Sequence, residues 1–228
     1  MAAGPPLAVA FDVNETLFGL EPLRERLSAL GLPGPALEWW FAVVLREGFA
    51  LAATGEHRPF AEVGRAALGE VLESCHLRVP PDAAERVLGG FEELAPHPDV
   101  RPALEALADA GVTALTLTNG NDQVIGRLLE RAGLRELVAH VLSVDGAGQW
   151  KPRPEPYRYA ASVAGVAAGE LALVAVHPWD VHGAARAGLV GAWVHREGRT
   201  WPGTFPPPEV AAPSLDGVVR RLLDRAAP

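Results

Sequence analysis

The stretch that decides the fold is Leu7-Ala8-Val9-Ala10-Phe11-Asp12-Val13-Asn14-Glu15-Thr16-Leu17-Phe18. Its opening run of apolar residues is too short for a transmembrane span and predicts a strand buried on both faces. The run ends in Asp12, and Asn14 and Thr16 follow at alternate positions. Open α/β sheets bind ligands at the carboxyl ends of their strands, so Asp12 is a candidate functional residue. The structural alternative is that Asp12 caps the next helix.

Length and composition narrow the classes of function. The chain has 228 residues, 49% hydrophobic and 21% charged, which suits one domain with an insert and a buried core. A formal net charge of −8 argues against nucleic-acid binding. The first residues lack the basic region of a signal peptide, and the single cysteine, Cys75, is typical of a reducing compartment. We therefore expect a cytoplasmic protein that binds a small molecule and has no membrane or nucleic-acid partner.

The pattern of predicted elements divides the chain into two parts. Residues 19–95 show helical periodicity interrupted by Pro and Gly, without a strand pattern. From residue 96 onward, short apolar strands alternate with helices, which predicts a parallel sheet with right-handed crossovers. Together with the first strand, this gives five predicted strands. The predicted fold is a Rossmann-like α/β core over 1–18 and 96–228, with an inserted α-helical cap over 19–95.

Polar residues follow four of the predicted strands. In a parallel sheet these strand ends lie at one edge, so the four clusters are expected to meet in one crevice. One cluster holds Lys151, the only lysine among 20 lysine and arginine residues. An ammonium is a compact point charge, so a sole lysine suggests a place that arginine cannot fill. The clusters are Asp12/Asn14/Thr16, Thr118/Asn119, Lys151 and His177/Asp180.

In order and spacing, these clusters resemble the four motifs of the haloacid dehalogenase superfamily of aspartate-nucleophile hydrolases. The resemblance covers essentially the whole chain, including a helical cap directly after the first motif. It is carried by Asp12-x-x-x-Thr16, Thr118-Asn119-Gly120, Lys151-Pro152 and Trp179-Asp180. Ser143-Val144-Asp145 and Tyr157 on either side of the third motif look most like the 2-haloacid dehalogenase branch.

The resemblance implies a role for each residue. Asp12 would be the nucleophile and form an ester that water then hydrolyses. Lys151 would keep Asp12 ionised, and Asp180 would pair with Lys151 or help to activate water. His177 is a further catalytic candidate. The substrate-binding residues implied by the motifs are Asn14, Thr16, Thr118, Asn119, Tyr157 and Trp179.

Asn14 separates two branches of the superfamily. The phosphatases carry an acid at this position, two residues beyond the nucleophile, to protonate the leaving group. An amide cannot do this, but a departing halide needs no proton. The residue therefore favours a dehalogenase without a cofactor. The alternative is a Mg²⁺-dependent phosphatase, in which Asp12, Asn14 and Asp180 would hold the metal.

Two positions depart from the dehalogenase pattern. The dehalogenases grip the halide with an arginine from the cap, and the matching helix here offers Trp39, Trp40 and, further on, Arg46. The indole N–H groups could replace the arginine, or the Trp pair could be core. His177 stands where an asparagine is usual. It could position or activate the hydrolytic water, since its ordinary pKa is near neutrality, or it could merely fill the space.

The sequence thus predicts a hydrolase most like an (S)-2-haloacid dehalogenase that acts on short 2-haloalkanoic acids. A Mg²⁺-dependent phosphatase is the first alternative. A catalytically weak binding protein on the same fold is the second, motivated by Asn14 and by the missing cap arginine. The apolar helix around Trp39–Leu45 could also form a homodimer contact.

Overall fold

The computed structural model describes residues 4–225, apart from the side chain of residue 197, and contains one six-stranded parallel sheet. The strands are β1 (Ala8–Phe11), β2 (Thr113–Thr118), β3 (His140–Ser143), β4 (Leu171–Ala175), β5 (Val190–Val194) and β6 (Val210–Ala212). Their spatial order, β3-β2-β1-β4-β5-β6, is that of a doubly wound sheet whose order reverses between β1 and β4. The predicted Rossmann-like α/β fold is confirmed. The sixth strand was not predicted, because its three residues are too short to show a pattern.

Nine α-helices lie within the described residues. They are α1 (Glu21–Ala29), α2 (Ala36–Thr54), α3 (Phe60–Ser74), α4 (Ala83–Leu88), α5 (Val100–Asp109), α6 (Asp122–Arg131), α7 (Pro154–Ala164), α8 (Pro178–Arg186) and α9 (Leu215–Leu223). A 3₁₀ segment, Gly89–Glu93, continues α4. In this part of the chain, every helix is too short or too polar to cross a membrane.

Helices cover both faces of the sheet. Along β1, Val9 and Phe11 belong to a core that includes residues of α5, α6 and α9, while Ala8 and Ala10 belong to a second core with α7 and α8. This alternation follows from the two-residue period of a strand. Because both faces are packed, the carboxyl edge of the sheet is where polar side chains can gather.

Helices α1–α4 form a helical unit inserted between β1 and α5. It has its own packed interior, in which the indole N–H of the fully buried Trp40 donates to the carbonyl of Gly64 at 3.0 Å. The two linkers that join it to the sheet are bonded to each other. The Gly19 N–H donates to the carbonyl of Ala95 at 3.1 Å.

Trp150 anchors the core in the helical unit. It precedes Lys151 and is fully buried, with its indole N–H donating to the carbonyl of Arg58 at 2.7 Å. Its ring stacks on Phe60, with 6.0 Å between centroids. Gly48 leaves room for the indole, since a Cβ atom there would lie 2.3 Å from the ring.

Candidate active site

The site forms where β1 and β4 end side by side. Asp12 follows β1 directly, and its N–H donates to the carbonyl of Val174 in β4 at 3.0 Å. The chain then turns back so that the Thr16 hydroxyl donates to Asp12 Oδ2 at 2.9 Å and accepts from the N–H of Val176 at 3.1 Å. Thr16 thus fixes the carboxylate of Asp12 to both strand ends.

The sole lysine lies between two carboxylates. Lys151 is fully buried, and its Nζ donates to Asp12 Oδ1 at 3.0 Å, to Asp180 Oδ2 at 2.6 Å and to the carbonyl of Leu117 at 2.8 Å. These three partners use all three protons of the ammonium. Burial lowers the pKa of Lys151, but the charges of Asp12 and Asp180 outweigh burial and raise it. Lys151 is therefore a permanent cation.

Tyr157 supports Asp180 from behind. Its hydroxyl donates to Asp180 Oδ1 at 2.7 Å, and both side chains are fully buried. Burial first, and then the charge of Asp180, raise the pKa of Tyr157 well above its usual range, so the phenol stays a donor. The prediction that Tyr157 binds substrate is wrong, because its only polar atom is turned to Asp180 and is shut off from solvent.

His177 lies between two carboxylates and does more than fill space. Its Nδ1 lies 3.0 Å from Asp12 Oδ2, and its Nε2 lies 2.9 Å from Glu15 Oε2. Both ring nitrogens donate when both carboxylates are ionised, which makes the ring an imidazolium. Burial lowers the pKa of His177, but its bonds to Asp12 and Glu15 raise it to about 9. His177 is a second cation on Asp12.

These surroundings move the pKa values of Asp12 and Asp180 in opposite directions. Burial raises the pKa of Asp12, but the charge of Lys151 and the bond from His177 outweigh it and hold the pKa well below its usual range. Burial also raises the pKa of Asp180, and there the charge of Asp12 adds to it while Lys151 opposes it. Asp12 is consequently ionised over the whole ordinary pH range. An opposite shift of two neighbouring carboxyl groups is typical of catalytic pairs.

The second predicted cluster organises the loop that carries the lysine. Asn119 Oδ1 accepts from the backbone N–H of Lys151 at 3.1 Å. Thr118 Oγ1 accepts from the N–H of Gly120 at 2.9 Å and keeps its own proton available as a donor. Both side chains are nearly buried beside the strand end, as a parallel sheet predicts.

Two cavities flank the loop that follows Asp12. One, of about 360 Å³, lies between the helical unit and the core and is mostly apolar. Its lining includes Asn14, Phe60, Phe91, Gly120, Val124 and Ile125. The other, a groove of about 330 Å³, has charged walls that include Glu15, Arg24, His97, Arg196 and Arg199. Asn14 and Glu15 therefore face different openings.

Two of the cap residues expected at the site lie elsewhere. Trp40 is enclosed in the helical unit with its N–H taken by a carbonyl, so it cannot hold a halide. Arg46 is on the outer surface and pairs with Glu47 at 2.8 Å and Glu70 at 2.6 Å. The predicted roles of Trp40 and Arg46 are wrong, because these residues lie on other faces of α2 than the one turned to the site. Trp39 is 38% exposed, and its role stays a prediction.

Two aromatic side chains of α2 lie beside the aromatic residues that follow β4. Phe41 lies 6.0 Å from the ring of His177, and Phe49 lies 5.0 Å from that of Trp179. Trp179 itself stacks on His177 at 5.4 Å, and its predicted contact with substrate stays a prediction. The two phenylalanines were not predicted at the site. Leu37, Phe41 and Phe49 are four and eight residues apart, a spacing that places them on one face of α2 and could have indicated the face turned to the core.

The carboxylates do not fit the magnesium set of the phosphatase alternative. Asp12 accepts from Lys151, Thr16 and His177, and Asp180 accepts from Lys151 and Tyr157, so the oxygens already face protein donors. Lys151 Nζ fills the space between them. Over residues 4–225, no three His, Cys, Asp or Glu side chains are grouped to hold a metal ion.

A buried carboxylate follows β1, and a lysine from the loop after another strand donates to it beneath an inserted helical unit. A family model for haloacid dehalogenase-like hydrolases matches residues 7–188. The chain therefore belongs to this family of enzymes, as the motifs indicated.

Individual relatives extend over nearly the whole chain. It is 27% identical over 218 residues to haloacetate dehalogenase H-2 of Moraxella sp. (strain B), which is 94% of this chain and 97% of the relative. It is 29% identical over 221 residues to (S)-2-haloacid dehalogenase 1 of Pseudomonas sp. (strain CBS-3), or 96% and 97% of the two chains. Its fold matches the solved structure of L-2-haloacid dehalogenase from Xanthobacter autotrophicus with covalently bound chloropropionic acid. The TM-score is 0.86 over 97% of this chain and 100% of that one, at 24% identity.

Proposed function

We propose that the protein hydrolyses the carbon–halogen bond of short (S)-2-haloalkanoic acids through an ester of Asp12. The observation that carries this proposal is a carboxylate kept ionised by two cations, Lys151 and His177, with the amide of Asn14 two residues on. The relatives named above, which are haloacid dehalogenases, support the same reaction class.

In the first step, an oxygen of Asp12 attacks the carbon that bears the halogen. A C–O bond forms, the carbon–halogen bond breaks, and the halide leaves with the electron pair. Because the halide needs no proton, the amide of Asn14 is no handicap. Lys151 and Thr16 hold the attacking carboxylate in place, which reduces the entropy lost on reaching the transition state.

In the second step, water attacks Cγ of Asp12 and releases a 2-hydroxy acid. Lys151 remains charged through its pairing with Asp180, which Tyr157 holds from behind. We assign His177 to this step, because its Nδ1 contacts an oxygen of Asp12 on the side where Glu15 lies. No cofactor enters either step.

The substrate would lie in the mostly apolar cavity against Asn14. Its carboxylate would accept hydrogen bonds from Asn14, Thr118 and Asn119 at the strand ends, and its alkyl group would contact Phe60. Trp179, with Phe41, would cover the reacting carbon. A carboxylate among N–H and O–H donors is well stabilised in such a site.

The test is halide release from (S)-2-chloropropionate in the presence of EDTA. We expect release by the wild type, a loss on the order of 10⁴-fold or more in Asp12→Asn, and unchanged release in the surface control Asp109→Asn. Weak release from the (R) enantiomer would support the stereochemistry. Halide release that stops with EDTA, or no release at all, would contradict the proposal.

Two further predictions concern organisation. We propose that the cap comprises residues 19–95 and that the core comprises 1–18 and 96–228, with the linker bond between Gly19 and Ala95 in support. A homodimer through the exposed part of α2 is also proposed. Sedimentation of the purified protein measures it directly, and a monomer at micromolar concentration would contradict it.

A further inference from the structure

Glu15 is a charged residue with no part in the mechanism above, and its backbone has an unusual conformation. Its φ is 61°, in the left-handed region that glycine adopts without strain and that other residues seldom adopt. Its N–H donates to the carbonyl of Phe18 at 2.8 Å, which closes the turn. Residues held in this region often have functional side chains. The glutamate at this position therefore needs an explanation.

The side chain of Glu15 completes a row of three groups. Glu15 Oε2 binds His177 Nε2 at 2.9 Å, and His177 Nδ1 binds Asp12 Oδ2 at 3.0 Å. Exposure falls along the row, from 34% for the Glu15 side chain to 10% for His177 and 7% for Asp12. With both ring nitrogens engaged, the imidazole has one orientation, and its Nδ1–H points at the proposed nucleophile.

Several charged or titratable groups surround this row. His177 contacts Asp12 and Glu15, while its remaining ring neighbours named above are aromatic. Lys151 lies beyond Asp12, the charge of Arg199 acts on Glu15 from the groove, and His97 Nε2 lies 3.1 Å from the backbone carbonyl of Glu15. Formation of the ester removes the negative charge of Asp12. From that moment, Glu15 is the carboxylate that still contacts the imidazolium.

We infer that Glu15 is a positioning residue that keeps His177 charged and directed at Asp12 while the ester is hydrolysed. The inference rests on the proposed function. With Oδ1 as the attacking atom, Oδ2 becomes the carbonyl oxygen of the ester and accepts from His177 and from Thr16. Two donors on one carbonyl oxygen form an oxyanion hole, which acts when negative charge develops there.

The hydrolysis balances as follows. The water oxygen bonds to Cγ of Asp12, and the carbonyl π pair moves onto Oδ2, where His177 and Thr16 stabilise it. The pair then returns, and the bond between Cγ and Oδ1 breaks, so that Oδ1 departs as the oxygen of the 2-hydroxy acid and the water oxygen replaces it in the carboxylate. The departing alkoxide takes one proton of the water, and the other proton leaves to solvent as the counterpart of the halide. Asp12 is restored as a carboxylate.

The experiment compares Glu15→Gln with Glu38→Gln in the full chain. Glutamine keeps the size of Glu15 and can accept from His177, but it lacks the charge. Glu38 lies on the same side of the molecule and pairs with Arg24 instead, so it is a matched control. Halide release from (S)-2-chloropropionate is followed from the first turnover, and the mass of the quenched protein is measured in parallel.

We expect Glu15→Gln to release about one halide per molecule at the wild-type rate and then to turn over roughly 10²-fold more slowly. Its mass should show the Asp12 ester, which neither the wild type nor Glu38→Gln accumulates. As the pH is raised, the rate of ester hydrolysis should begin to decline at a lower pH in Glu15→Gln than in the wild type, because His177 loses its proton more easily without the Glu15 charge. A residue that serves only the fold would not produce this split between the two steps.

Other outcomes overturn the inference. A Glu15→Gln protein with wild-type turnover and no ester, or one that loses the initial halide burst, contradicts the role of Glu15 and leaves the proposed function standing. A wild type that releases no halide overturns both. If Glu15→Gln does not fold, Glu15→Gly carries the same test, because glycine adopts the φ of 61° without strain.

Discussion

The two oxygens of Asp12 face surroundings that are built differently. On the Oδ1 side, Lys151 and Asp180 are fully buried and are closed off by Tyr157. On the Oδ2 side, His177 leads to Glu15 and to a groove of about 330 Å³. We call these the sealed side and the open side. Both place a cation 3.0 Å from the carboxylate, but only the open side leads to a partly exposed side chain, that of Glu15.

This difference separates two tasks. Lys151 keeps its charge at ordinary pH because Asp12 and Asp180 outweigh its burial, so the sealed side fixes Asp12 as an anion. The cation on the open side is a histidine whose pKa is raised to about 9 by its bonds to Asp12 and Glu15, so its charge can be titrated in an activity measurement. Substitutions on the two sides should therefore differ in the size of their effects and also in how those effects depend on pH.

Loss of the sealed cation should have the largest effect. Lys151→Met leaves Asp180 buried without a counter-charge and Asp12 with one cation, His177, instead of two, which costs about 3–5 kcal/mol of unfolding free energy. Halide release should fall by roughly 10³-fold or more, since Asp12 without Lys151 takes up a proton more readily and loses the donor that holds it in place. Denaturant unfolding at pH 7 and halide release measure the two effects. A variant as stable and active as the wild type would show that the sealed side is not needed.

Loss of the open cation should have a smaller effect, and one that depends on pH. In the wild type, the pKa of His177 is raised from 6.5 to about 9, so its contribution to stability is complete below pH 6.5 and is lost as the pH rises through 9. The contribution is on the order of 3 kcal/mol. His177→Asn should lack this loss between pH 6 and pH 10, and its halide release should fall roughly 10²-fold. Equal pH dependence in both proteins would place the titrating group elsewhere.

The support behind the sealed cation can be weakened without removing any charge. Tyr157→Phe deletes the donor that lies 2.7 Å from Asp180 and should cost about 1.5–3 kcal/mol. Activity should fall by about tenfold, because Lys151 still holds Asp12. Tyr159→Phe is the matched control, since Tyr159 is the other tyrosine of the chain and lies outside the cluster. An effect of similar size in the control would attribute the loss to helix α7 and not to Asp180.

A cation on the outer surface should have the smallest effect. Arg46→Gln removes the ion pairs with Glu47 and Glu70 but touches neither side of Asp12. Exposed pairs of this kind contribute little, so halide release should stay within about twofold of the wild type. A large rise in KM with unchanged kcat would instead restore Arg46 as a substrate-binding residue.

The sequence allowed the core side of the site to be predicted because a parallel sheet gathers its strand ends. Asp12, Thr16, Lys151, His177 and Asp180 stand at strand ends that are far apart in the chain, and the sheet brings them together. Lys151 could be singled out because it is the only lysine of the chain. In the structure, its ammonium group donates to three acceptors.

The remaining errors have physical causes. Helix α2 is apolar on several faces, so its pattern does not tell which face meets the core, and Trp40 was placed on the wrong one. Tyr157 was predicted to contact substrate but lies behind Asp180, because the spacing of residues in the sequence does not show how deeply a side chain is buried behind a strand end. Glu15 was passed over because strand-like alternation points it away from Asn14 and Thr16. Its φ of 61° breaks that alternation.

The insertion of Trp150 into the helical unit has a consequence for how substrate enters. A rigid swing of the unit away from the core would pull the indole out from between Gly48 and Phe60 and expose about 200 Å² of surface. That work is on the order of 5 kcal/mol, so fewer than about one molecule in 10³ would be open in this way at any moment. Trp150, next to Lys151 in the chain, therefore holds the helical unit against the core in all but a small fraction of molecules, and opening of this kind would add its cost to substrate entry.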